Sequence, residues 1–149
     1  MAKKNIVQKR MIWQKPEIDG GRIGNNPLLL RISVGERETK IDFGYSAYNI
    51  YIKGGWIRIH PDTYLEDTKT MLRYKMIKAV DIPIYPEKLE FKTKTDWQYF
   101  SLYFEPLPHN DLIINFIEPD KSIHSDNGNN FNFYKIKLNI IDALDEYKY

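Results

Sequence analysis

Over most of the interval from residue 28 to residue 138, apolar side chains recur at every second position. That period matches a pleated strand, whose successive side chains point to opposite faces. A helix would repeat its apolar face at three and four. Leu28, Leu30, Ile32 and Val34 fall on one face of the first run, with Leu29, Arg31 and Ser33 opposite. Thr39, Ile41, Phe43 and Tyr45 alternate with Lys40, Asp42 and Gly44. Gly35-Glu36-Arg37 joins these runs and predicts a hairpin with more than a two-residue turn. Phe100, Leu102 and Phe104 oppose Tyr99, Ser101 and Tyr103, and Tyr134, Ile136 and Leu138 oppose Lys135 and Lys137. Leu112 to Ile117 is apolar on both faces except at Asn115, which predicts a central strand covered on both sides. Shorter runs at 54–59, 63–65 and 74–80 add further strands.

Turn formers separate the runs, among them Asp19-Gly20-Gly21, Gly24-Asn25-Asn26-Pro27, Pro83, Pro86, Pro106, Pro108 and Asn127-Gly128. Strands of this length, with turns roughly every dozen residues, predict an all-β fold. The expected architecture is an antiparallel, immunoglobulin-like β-sandwich of about eight or nine strands. Helix is expected only as one turn within 67–73. At the C-terminus, apolar residues at 140, 141, 144 and 147 predict a short helix or turn. The 149 residues suit a single domain over 1–149, with residues 1–10 either disordered or an addition to it.

Composition removes several chemistries. There is no cysteine, which excludes disulfides, a thiol nucleophile and thiolate metal sites. Lys plus Arg is 22 and Asp plus Glu is 20, a net charge of +2 without the basic excess of a nucleic-acid binder. No apolar run approaches the roughly 18 residues of a transmembrane helix. Aromatic content is 14%, with 11 Tyr, 7 Phe and 3 Trp.

No catalytic or metal motif emerges. His60, His109 and His124 show no metal spacing, and solvated or capping roles are expected for them. Gly-x-Ser-x-Gly, Ser-x-x-Lys and phosphate-cradling glycine loops are all missing from the sequence. Glu118, Asp120, Asp126, Asn127, Asn129 and Asn130 concentrate oxygen ligands, but their spacing departs from a calcium loop and reads as a solvated hairpin connection. No cofactor is expected. Lys75, Lys78, Lys135 and Lys137 read as outward charges or as charges that protect a sheet edge.

The segments Gly55-Trp-Ile-Arg-Ile-His-Pro-Asp-Thr-Tyr-Leu-Glu-Asp67, Arg73-Tyr-Lys-Met-Ile-Lys-Ala-Val-Asp-Ile-Pro83 and Phe100-Ser-Leu-Tyr-Phe-Glu-Pro-Leu-Pro108 follow one another. Asn115-Phe-Ile-Glu118 and Phe133-Tyr-Lys-Ile-Lys-Leu138 complete the series. In this order they resemble the β-sandwich domain that precedes thioredoxin-like, TlpA-type domains in envelope proteins of some Gram-negative anaerobes. The resemblance covers roughly residues 50–139. Asp81 and Pro119 stand where that pattern has glycine, and the thioredoxin-like domain is absent, so its redox activity does not transfer. The resemblance implies a periplasmic or cell-surface, non-catalytic module.

The leading expectation is therefore an accessory or binding module that recognises a protein or glycan partner. Trp56, Trp97, Tyr99 and Tyr103 are the candidate binding residues, since flat rings stack on sugars and supply contact area to proteins. Two rivals remain: a structural or assembly subunit, and a glycan-active hydrolase. The hydrolase would draw two carboxylates from Asp62, Glu66, Asp67, Glu105 and Glu118.

Overall fold

A computed structural model describes residues 11–13, 27–46, 55–92, 97–119 and 131–139. Among them are ten strands and no helix: β1 (Met11–Trp13), β2 (Leu28–Val34), β3 (Thr39–Ser46), β4 (Trp56–Ile57), β5 (Tyr64–Asp67), β6 (Arg73–Val80), β7 (Leu89–Glu90), β8 (Trp97–Phe104), β9 (Leu112–Ile117) and β10 (Asn132–Leu138). All pairings between named strands are antiparallel. Eight strands run in the order β1-β2-β3-β8-β6-β5-β9-β10, and β4 pairs with β7 as a separate ribbon. Residues 1–10, residue 124 and the 120–130 and 140–149 stretches lie outside the described residues, so the expected terminal helix and most of the oxygen-rich loop fall there.

The eight strands close into a β-sandwich-like body because β6 belongs to both layers. Its first residues, Arg73 to Lys75, pair with β5; Met76 to Val80 pair with β8 across a register shift between Met76 and Lys78. A strand that bends at such an irregularity turns a corner from one layer to the other. One layer then holds β1, β2, β3 and β8, and the other holds β5, β9 and β10. Phenylalanines fill the space between. Phe43 on β3 meets Phe116 on β9 at 5.5 Å and Phe133 on β10 at 5.8 Å, while Phe104 on β8 meets Phe116 at 5.8 Å. The edge-to-face geometry of Phe116 against Phe43 and Phe104 sets the positive rim of one ring against the negative face of another.

The alternation of β3 and β8 translates directly into burial. Thr39, Ile41, Phe43 and Tyr45 are buried, as are Phe100, Leu102 and Phe104. Three runs depart from the expected faces. In β2 a register shift between Leu29 and Arg31 lets Leu29 join Ile32 and Val34 inside, leaving Leu30 exposed. Three consecutive leucines satisfy either face, so alternation could not locate the extra residue. In β10 a shift between Phe133 and Ile136, with Lys135 at φ 54°, places Phe133 inside and Tyr134 outside. In β9, Leu112, Ile114 and Phe116 are buried, but Ile113 is exposed, so this strand is covered on one face only.

The β2–β3 connection is a four-residue turn, 35–38, closed by the Gly35 N–H donating to the Glu38 carbonyl at 2.9 Å. Asp81, which replaces glycine in the resembled pattern, itself adopts φ 65°, a left-handed conformation that Asp tolerates better than most residues. Lys135 and Lys137 sit on β10, the last strand of the sheet order, where a bulge and charges discourage strand addition. Lys75 and Lys78 instead lie on the paired strand β6 and point outward.

Candidate functional site

The outer face of β8 brings three of the four predicted ring residues into one row. Trp97, Tyr99 and Tyr103 occupy alternate positions with Ser101 between them, because Phe100, Leu102 and Phe104 claim the inner face. Trp97 is 48% exposed and Tyr99 64% exposed, and their rings lie 6.1 Å apart at an angle of 17°. Gly44 on β3 pairs directly with Tyr99. A Cβ built on Gly44 would stand 3.2 Å from the Tyr99 ring, so the missing side chain is what lets that ring settle over the strand. At the far end, Lys78 lies 4.4 Å and Lys40 5.8 Å from the Tyr103 ring centre. Cations at these distances hold the ring by its negative face.

Beside Tyr99 opens a cleft of about 440 Å³, lined among others by Leu30, Arg31, Asp42, Asp81, Tyr99 and Ser101. Asp42 is its polar centre. Its Oδ1 accepts from the Ser101 hydroxyl at 2.6 Å, and its Oδ2 accepts from Arg31 Nε at 3.1 Å. Arg31 Nη2 stands 3.0 Å from Oδ2, and Lys40 Nζ 3.5 Å from Oδ1. Burial pushes the Asp42 carboxyl up, but the hydrogen bonds from Ser101 and Arg31 and the charges of Lys40 and Arg31 outweigh it. The net effect holds Asp42 below its ordinary value of 3.8.

A lowered folded pKa stabilises above the unfolded pKa, and this stabilisation is lost as pH falls through the folded value. Asp42→Asn is therefore expected to cost about 1 kcal/mol at neutral pH, an amount reduced by solvent screening of Arg31. The difference from the parent chain should shrink below pH ~4. Urea titrations at neutral and acid pH check this; a gap that widens in acid contradicts the assignment.

Trp56 lies apart from the row, on the β4–β7 ribbon. Arg58 packs 4.6 Å from the Trp56 ring and 4.4 Å from the Tyr85 ring, Lys88 packs 5.3 Å from Trp56, and His60 stacks on Tyr85 at 5.7 Å. Cations thus already engage the Trp56 ring. Neither Arg58 nor Tyr85 stands out in the sequence. Their only signal was spacing from Trp56 across a pairing, Trp56 with Glu90 and Ile59 with Ile84, that period-two reading cannot supply.

Of the five carboxylates considered for a hydrolase, three accept from backbone amides. Glu118 is buried; its Oε2 accepts from the His60 N–H at 2.7 Å and its Oε1 from the Phe131 N–H at 2.8 Å. Asp67 is buried and accepts from the Lys69 N–H at 2.8 Å, and Glu105 accepts from the Lys75 N–H at 2.8 Å. Glu66 pairs with Arg73 at 3.0 Å. The Asp62 N–H donates to His60 Nδ1 at 3.0 Å, which gives His60 a capping role in its turn. His109 Nε2 lies 3.2 Å from the Gly35 carbonyl. Among the described residues no group of three or more His, Asp or Glu side chains is placed to hold a metal ion. No helix among them is long and apolar enough to cross a membrane. The chain matches no family model, no curated protein and no solved structure.

Proposed function

We propose that this chain is a non-catalytic binding module of the bacterial cell envelope that takes a glycan on the outer face of β3 and β8. The observation that carries the reading is the near-parallel, half-exposed Trp97–Tyr99 pair beside the Asp42–Ser101–Arg31 cluster. Flat rings offer stacking surfaces to the apolar faces of sugar rings, and convergent polar groups next to them orient hydroxyls. Envelope placement rests on the family resemblance of residues 50–139. A protein partner is the second reading, favoured by the Trp56, Arg58 and Tyr85 cluster, which has the composition of an interface anchor.

Affinity gels and a glycan array test the proposal. The parent chain should be retarded by at least one polysaccharide, and Trp97→Ala with Tyr99→Ala should lower that affinity by roughly tenfold or more. Gly44→Val should weaken it as well, by displacing the Tyr99 ring while every aromatic is kept. Retention unchanged in both variants, or a blank array, rejects the glycan reading. Loss of a protein partner on Arg58→Ala, with a blank array, supports the second one.

A further inference from the structure

The outward row of β8 is continuous. β8 pairs with β3 from Trp97 with Ser46 to Phe104 with Thr39, and no register shift interrupts the ladder. The outward positions therefore stay on one line. From Trp97 to Tyr103 that line follows extended strand for roughly 20 Å.

Three kinds of surface succeed one another along it. The near-parallel Trp97 and Tyr99 rings come first. Ser101 follows, joined to Asp42, with Arg31 on the same carboxylate. Tyr103 comes last, with Lys78 and Lys40 beside its ring. The open cleft is lined by both Tyr99 and Ser101, so it lies in the middle of the row rather than at one end. Val80 pairs with Ser101 and Lys78 with Tyr103, so β6 borders the second half of the row. Opposite Tyr99, Gly44 puts no side chain in the way.

A pocket for one terminal sugar encloses its ligand and gathers the polar groups around it. Here the groups are strung along a strand. A single sugar ring is comparable in size to one aromatic ring, so it would meet only part of this row. A chain of several sugars lying along β8 engages all of it at once.

We infer that the site takes an internal stretch of a linear glycan, with successive units over Trp97 and Tyr99, the Asp42–Ser101 cluster and Tyr103. This rests on the glycan reading of the same face and names the class of glycan: an unbranched chain held along its length, not a terminal sugar.

The test is calorimetric titration of the full chain with cello-, manno-, chito- and laminari-oligosaccharides, each from disaccharide to hexasaccharide. In at least one series, affinity should rise roughly tenfold or more from the disaccharide to the hexasaccharide. Tyr103→Ala should end that rise at a shorter chain, because it removes the last contact of the row. Its thermal midpoint checks that the fold is kept; if it does not fold, the length profile of the parent decides alone. Equal affinity for disaccharide and hexasaccharide, or a full parental profile in Tyr103→Ala, overturns the proposal while the glycan reading stands. So does a polysaccharide that retards the chain when every linear series is inert. If no oligosaccharide and no polysaccharide binds, the glycan reading itself fails and takes the proposal with it.

Discussion

Phe116→Ala should lower stability by about 3–5 kcal/mol, because it empties the centre of the ring cluster between the layers. Phe116 is fully buried and meets Phe43, Phe104 and Phe133 at 5.5–5.8 Å. Two of those partners lie in the opposite layer, so collapse around the cavity would require the layers themselves to approach. Against a total stability of about 5–15 kcal/mol, the loss should shift the thermal midpoint down by roughly 6–20 °C. Tyr134→Ala is the matched control. Its ring is half-exposed on the edge strand, and a change within about 0.5 kcal/mol is expected. Thermal or urea denaturation of the two variants reads both numbers. Equal losses would mean that β10 runs in the unbulged register, with Tyr134 inside.

The second large effect belongs to Glu118. Its carboxylate holds the His60 and Phe131 amides, tying the turn before β5 to the start of β10 and the end of β9. Glu118→Ala leaves two amides without this acceptor at a buried site, an expected cost of about 2–4 kcal/mol. Glu118→Gln is nearly isosteric, yet it sets an NH₂ donor against one of the two amides and keeps a single acceptor. It should fall between the parent and the alanine variant. A glutamine variant as stable as the parent would show that only one carboxylate oxygen is needed. Denaturation curves of all three proteins decide the order.

A strand's inward face is legible in this sequence where its local pattern contrasts the two faces, and lost where it does not. In β3 Lys40 and Asp42 alternate with Ile41 and Phe43, and in β8 Phe100, Leu102 and Phe104 claim one face around Ser101, so the outward row Trp97, Tyr99, Ser101, Tyr103 follows from the buried row. Leu28-Leu29-Leu30 carries no such contrast, and Phe133-Tyr134 offers two aromatics for one inward position. There a bulge chooses the face, and bulges arise from pairing with a partner strand. Glu118 was legible as an acid closing a strand, but its work depends on amides 58 residues before it and 13 after it.

The sequence by itself determined that this chain is built of antiparallel strands and that Trp97, Tyr99 and Tyr103 share a face. The strands and the shared face follow from the period of two, a property of the backbone that needs no partner, and the antiparallel direction from short connections and one polar face per strand. Only the tertiary structure decided that β6 serves both layers, that Trp56 stands apart among cations, and that Asp42 sits beside the ring row with Arg31 and Ser101. Those facts rest on strand order and register, where residues far apart in the chain become neighbours.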